Sequence, residues 1–305
     1  SEVLVTDGSK EAIFHLPGAL VDPGDGVLVP SPGYVPYYRG TSFAGGINIP
    51  YPLDARGAFL PDVSDLRARV EGAARRGTTV RLLWICHPNA PTGSVADAGL
   101  LSSIVAMARD LGIVVASDEA YADFVWEGRM ASALQAGKKG VIAFHSLSKR
   151  SNMTGFRVGW VSGDASIVSS LGRVKENVDS GTPCFVQAAA AAALGDESHV
   201  EAMRAEYRHN RDVLLVALGK AGLPSCRPAG SLYRWQAGPP GMSSTQLCDR
   251  LLDERIAVAA LPGEALSPPL ADGTCPGAGY VRLSLTALPE RVEEAAARIG
   301  ANLRF

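Results

Sequence analysis

The chain has 305 residues, 47% of them hydrophobic and 20% charged, with a formal net charge of −2 and a pI near 6.2. That balance lacks the broad basic surface used to grip a phosphate backbone, so nucleic acid is not an expected partner. No apolar run reaches the roughly 18–20 residues of a membrane span, and no secretory signal opens the chain. The five cysteines (Cys86, Cys184, Cys226, Cys248, Cys275) show neither metal-ligand nor disulfide spacing, so no metal and a cytoplasmic setting are expected.

In chain order, short apolar strands alternate with longer amphipathic helices, the pattern of an α/β domain around a mainly parallel, helix-covered sheet. Strands are predicted over Val3–Thr6, Gly26–Pro30, Val80–Cys86, Val114–Ser117, Val141–Phe144 and Gly159–Ser162. Helices are predicted over Ser9–Leu20, Leu60–Gly72, Ala96–Leu111 and Ser166–Asn177, the first ended by the turn Asp22-Pro23-Gly24-Asp25. Pro17-Gly18 should kink or shorten that first helix. An alanine-rich run, Ala188–Ala193, leads to a long charged helix at about Glu197–Ala221. Strand-like pieces follow at Leu232–Gln236, Ile256–Ala260 and Tyr280–Thr286, with a final helix from Pro289. The Gly/Pro-dense stretch Ser267–Gly279 reads as a mobile loop. The expected organisation is therefore a large domain, 1–199, and a smaller α+β C-terminal domain, 200–305.

Five segments carry candidate chemistry. Ser146-Leu147-Ser148-Lys149 follows an apolar strand, with Arg157 eight residues on. An amine near a buried strand end is a candidate nucleophile for carbonyl chemistry, and the hydroxyls and guanidinium suit a phosphate. A surface lysine in a polar turn fits that segment equally well. Asp118, in Ser117-Asp118-Glu119-Ala120-Tyr121, falls at the carboxyl end of a parallel strand, where such sheets place ligands. A carboxylate there can hold a pyridine nitrogen protonated, with Tyr121 donating to a ring oxygen; a plain helix cap is the alternative. Asp7-Gly8-Ser9-Lys10 turns from strand into helix and frees backbone N–H groups for an anion. His87-Pro88-Asn89-Ala90-Pro91-Thr92-Gly93 is a loop at a strand end. Arg282, among apolar neighbours on a predicted strand, needs either a substrate carboxylate or a structural acid.

Taken together and in this order, Gly8-Ser9-Lys10, Pro32-Gly33-Tyr34, Pro91-Thr92-Gly93, Asp118-Glu119-Ala120-Tyr121, Ser146-Leu147-Ser148-Lys149, Gly155-Phe156-Arg157-Val158-Gly159 and Tyr280-Val281-Arg282-Leu283 resemble the class I/II aminotransferases of the type I pyridoxal-phosphate fold. The segments Ser148–Gly155 and Lys175–Gly181 look most like the diaminopimelate branch, which includes succinyldiaminopimelate and LL-diaminopimelate aminotransferases. The resemblance implies pyridoxal 5'-phosphate, bound covalently by Lys149, which also moves the substrate proton. It implies Asp118 at the pyridinium nitrogen, Tyr121 at the ring oxygen and Tyr34 stacked on the ring. Ser9, Lys10, Ser146, Ser148 and Arg157 would hold the phosphate, and Arg282 the substrate carboxylate. A homodimer, 2-oxoglutarate as amino acceptor and a place in lysine biosynthesis are implied too.

Two departures from the family pattern stand out. Ala90 occupies the place of the family's ring-contacting asparagine: either Asn89, one residue early, substitutes for it, or Tyr121 carries the contact alone, or reactivity is changed. The family's N-terminal segment has no counterpart here. Those departures keep two other readings open: a C–S lyase on the same fold, and a non-catalytic module that binds the cofactor.

Overall fold

The computed structural model describes residues 1–305. The strands are β1 (Val3–Thr6), β2 (Gly26–Ser31), β3 (Ile47–Pro52), β4 (Val80–Cys86), β5 (Val114–Asp118), β6 (Val141–Ser146), β7 (Gly159–Gly163), β8 (Tyr233–Ala237), β9 (Leu261–Pro262) and β10 (Tyr280–Ser284). The helices are α1 (Ser9–Leu20), α2 (Val35–Phe43), α3 (Val63–Arg75), α4 (Ala98–Asp110), α5 (Leu147–Arg150), α6 (Ala165–Val178), α7 (Cys184–Leu194), α8 (Ser198–Lys220), α9 (Ser244–Leu252) and α10 (Pro289–Asn302). None is long and apolar enough to cross a membrane.

Seven strands form one sheet in the order β1-β7-β6-β5-β4-β2-β3, and β8-β10-β9 form a second, antiparallel sheet. In the large sheet, β3, β2, β4, β5 and β6 run parallel, while β7 is antiparallel to both β6 and β1. The mainly parallel α/β architecture read from the sequence is the one observed. Alternation along each central strand feeds two cores. Leu82, Trp84, Ala116, Ile142 and Phe144 pack toward α1 and α2, whereas Leu83, Ile85, Val115 and Val141 pack toward α3 and α4. The carboxyl ends of β4, β5 and β6 therefore lie side by side, with Cys86 opposite Asp118 and Asp118 opposite Phe144.

Several expectations need correction. Pro17 is buried inside α1 without shortening it, and the Val21 N–H closes the last turn on the Pro17 carbonyl at 2.8 Å. Strand β3 escapes sequence reading because INIPYP carries two prolines; as the edge strand it needs ladder donors on one side only. Ile256–Ala260 is not a strand. The Ile256 and Ala257 N–H groups turn back onto the Asp253 carbonyl at 2.8 and 2.7 Å, and Ala257 takes a φ of 50°. The stretch Ser267–Gly279 is anchored rather than loose. Ser267 Oγ meets Ser31 Oγ at 2.9 Å and accepts the Gly277 N–H at 2.9 Å.

Candidate active site

Asp118 ends β5 and is only 4% exposed. Its Oδ2 accepts from the Tyr37 hydroxyl at 2.6 Å and its Oδ1 from the Ala120 N–H at 3.1 Å. Burial pushes the carboxyl's pKa up, against the opposing pull of those two bonds and of the Lys149 charge. Such a group calls for a further cation or donor. Tyr37 is held for its task by stacking on Trp84, with ring centroids 4.8 Å apart.

Lys149 lies in α5, one short turn beyond β6. Ser146 caps that turn, its Oγ accepting the Ser148 N–H at 3.2 Å. The neighbouring Arg150 is buried and ties the turn to the Ala193 carbonyl at 3.3 Å and to Glu197. Lys149 itself is half-buried, with Nζ 5.8 Å from the centre of the Tyr121 ring.

The start of α1 lies alongside. Gly8 takes a φ of 80° and supplies no side-chain cap, so the first-turn N–H groups at Ser9 and Lys10 stay open to an anion. Arg157 lies across this turn. Its Nη2 donates to the Asp7 carbonyl at 3.2 Å, and its Nη1 to the Thr154 carbonyl at 2.9 Å and Ser148 Oγ at 3.4 Å. A Cβ on residue 8 would sit 2.5 Å from Nη2, so the cradle requires glycine there.

From the second sheet, β8 and β10 present Tyr233 and Arg282. The Arg282 guanidinium lies 4.3 Å from the centre of the Tyr233 ring and makes no ion pair within the chain. The Tyr233 hydroxyl receives that of Tyr121 at 3.4 Å. Tyr34 stands between the two ends. Its pKa is pushed up to about 12, chiefly by burial and then by the charges of Asp118 and Tyr233, while Arg157 and Arg282 pull the other way. The structure thus brings Ser9, Lys10, Tyr34, Asp118, Tyr121, Ser146, Ser148, Lys149, Arg157 and Arg282 into one neighbourhood.

Asn89 is the exception. Its Oδ1 accepts from the Thr92 N–H and hydroxyl at 3.1 and 2.8 Å, and its Nδ2 donates to the Cys86 carbonyl at 3.3 Å. The amide oxygen is held by its own loop and one Nδ2 hydrogen by the Cys86 carbonyl, which leaves one donor, and Ala90 brings none. Sequence reasoning missed Tyr37 and Tyr233. The one available signal for Tyr37 was its place three residues after Tyr34, on the same side of α2. Tyr233 alternates with buried Arg234 on β8, a pattern compatible with many roles.

A buried acid at a parallel strand end, a nearby amine, an uncapped helix start under an arginine and an unpaired arginine opposite define a class. It is an enzyme that binds a phosphorylated pyridine cofactor and a carboxylate substrate. Similarity to known proteins narrows the class. The family model for aminotransferase class I and II matches residues 1–299. The LL-diaminopimelate aminotransferase of Desulforudis audaxviator is 42% identical over 302 residues, covering 98% of this chain and 74% of that protein. That of Syntrophobacter fumaroxidans is 40% identical over 304 residues, with 98% and 74% coverage. Among solved structures, apo-BacF from Bacillus subtilis aligns with a TM-score of 0.88 at 30% identity, covering 99% of this chain and 78% of that one. A Thermus thermophilus aspartate aminotransferase mutant gives 0.89 at 28% identity, covering 99% and 76%. The chain belongs to the class I and II aminotransferases and is a pyridoxal-phosphate-dependent transaminase, similar to LL-diaminopimelate aminotransferases.

The residues present fit that cofactor. Asp118 is a buried acid suited to a cationic partner, and Arg157 with the Gly8 turn forms a cradle that a Cβ would fill. No cluster of His, Cys, Asp and Glu suited to a metal accompanies them.

Proposed function

We propose that the protein moves an amino group between an amino acid of the diaminopimelate type and 2-oxoglutarate, in the cytoplasm and as a homodimer. The observation that carries the substrate reading is Arg282, a half-buried cation with no acid partner in its own chain. A bidentate carboxylate would satisfy it, as both an α-amino and a 2-oxo acid offer.

When bound, pyridoxal phosphate supplies a conjugated ring that takes up the electron pair of a breaking Cα–H bond. The chain's residues do the rest. The Lys149 amine would hold the cofactor at its carbonyl carbon, and its Nζ, when free, would take a proton from the substrate Cα and return it elsewhere. Asp118 would accept from the ring N–H and keep that proton in place, with Tyr37 fixing the carboxylate's orientation. The Tyr121 hydroxyl would turn from Tyr233 to donate to the ring oxygen. Tyr34 would cover the ring face. Ser9 and Lys10 amides, the Ser146 and Ser148 hydroxyls and Arg157 neutralise the phosphate. In this reading residues 1–199 carry the cofactor and 200–305 bring Arg282 over it.

Exposed apolar side chains support a second copy. Phe156, Val178 and Phe185 are 53, 56 and 77% exposed. Incubation with LL-diaminopimelate and 2-oxoglutarate should yield glutamate. Release of pyruvate and ammonia without an acceptor, from substrates with a β-leaving group, would instead support the lyase. Sedimentation should give twice the 31.9 kDa chain mass, and Phe185→Glu should halve it.

A further inference from the structure

Behind the phosphate turn lies a cluster that the reaction itself does not use. Lys175, on α6, is 3% exposed, an unusual place for an ammonium. Its Nζ is 2.7 Å from Asp179 Oδ2, 3.3 Å from Glu11 Oε2 and 3.6 Å from Asp7 Oδ2. Each of those acids holds backbone or a neighbouring side chain. The Asp7 N–H donates to Glu11 Oε2 at 3.1 Å, Asp7 Oδ1 accepts from the Thr182 hydroxyl at 2.6 Å, and Asp179 Oδ1 accepts the Gly181 N–H at 2.9 Å. The carbonyl of the same Asp7 receives Arg157. One buried cation therefore gathers three carboxylates around the residue that precedes Gly8.

We infer that Lys175 is a positioning residue for the phosphate site: it fixes the Asp7-Gly8-Ser9 turn and shields a bound phosphate from the acids behind it. Without the ammonium, three carboxylates would crowd one another. Asp7, which is both the first residue of the turn and an Arg157 acceptor, is the one on a turn free to shift. The negative field at the helix start would grow at the same time, where a phosphate dianion has to sit. Arg157 and the open N–H groups would remain, misaligned and opposed by charge. The inference rests on the proposed role of Gly8, Ser9 and Arg157 as the phosphate site.

The test compares pyridoxal phosphate with pyridoxal, which lacks the phosphate, binding to the apo-protein as followed by absorbance. The proteins are wild type, Arg157→Ala, Lys175→Met, Lys175→Arg and a charge-balanced double variant, Lys175→Met with Asp179→Asn. Lys175→Met should weaken pyridoxal phosphate binding roughly tenfold, the low end of what loss of an outer partner costs a bound ion, and leave pyridoxal binding unchanged. Lys175→Arg should restore most of the difference. If Lys175→Met does not fold, the double variant takes its place: with the cluster's net charge kept but the cation that gathers the turn gone, it should still bind pyridoxal phosphate more weakly and pyridoxal equally well. Equal weakening for both ligands, or a variant that retains phosphate selectivity while Arg157→Ala loses it, overturns the inference. If Arg157→Ala keeps that selectivity as well, the phosphate-site reading itself fails.

Discussion

Asp118 and Glu119 are chain neighbours, both buried, yet they serve opposite faces of the large sheet and do different work. Asp118 belongs to the face of Trp84, Phe144 and Tyr37, and its two bonds leave it able to take a further partner. Glu119 turns to the other face. Its Oε1 accepts from the Ser117 and Ser132 hydroxyls at 2.9 and 3.0 Å and from the Ala133 N–H at 3.0 Å. His87 and His145 flank it, each with Nε2 at 3.8 Å. Burial raises Glu119 to about 7 and lowers both histidines to about 4, so near neutrality both histidines are uncharged while Glu119 is partly protonated. Equal burial thus yields a ligand acid on one face and a fastening on the other; the difference lies in what each carboxyl is already bonded to.

The sharpest test on the Asp118 face is Lys149→Ala. Covalent attachment of the cofactor should disappear, read as loss of its long-wavelength absorption band, and transaminase activity should fall at least about a thousandfold. Asp118→Asn keeps the shape and removes the charge. We expect kcat to fall by roughly 10²–10³, the scale of losing one electrostatic partner of a developing charge. Glu119→Gln should change kcat less than about threefold, because it touches no reacting atom; similar losses in the two variants would erase the contrast between the faces. Arg282→Gln should raise KM for both amino and oxo acid about tenfold or more, a charged hydrogen bond being worth about 1.5–3 kcal/mol.

The smallest effect is on stability, and its sign follows from Glu119. A carboxyl whose folded pKa is raised from 4.5 to about 7 binds its proton more tightly in the folded chain. Its contribution is complete below pH 4.5 and is lost as pH rises through about 7, on the order of 3 kcal/mol in all. His87 and His145 act in the opposite sense, losing stability as pH falls from 6.5 toward 4. Between pH 6 and 8.5 the gain from the two histidines offsets the loss at Glu119, so urea unfolding should show wild type changing little and Glu119→Gln gaining stability with pH. Parallel behaviour of the two proteins would mean that Glu119 is not the titrating group.

Local chemistry by itself determined the alternation of β2, β4, β5, β6 and β7 with their helices, because side-chain period and turn residues act over a few positions. It also marked Asp118, Lys149, Arg157 and the Gly8 turn, each at a strand end or helix start where its neighbours in sequence announce it. Tertiary structure decided what contiguous patterns do not encode. Tyr37 reaches Asp118 across 81 residues, Lys175 meets Glu11 across 164, and Tyr233 brings its ring under Arg282 only through the pairing of β8 with β10. Asn89 stands one position from the ring-contacting place in the chain, and its loop closes on its amide instead. In each case the deciding term is a through-space bond whose partner the sheet order selects, and sheet order is set by the packing of the whole core.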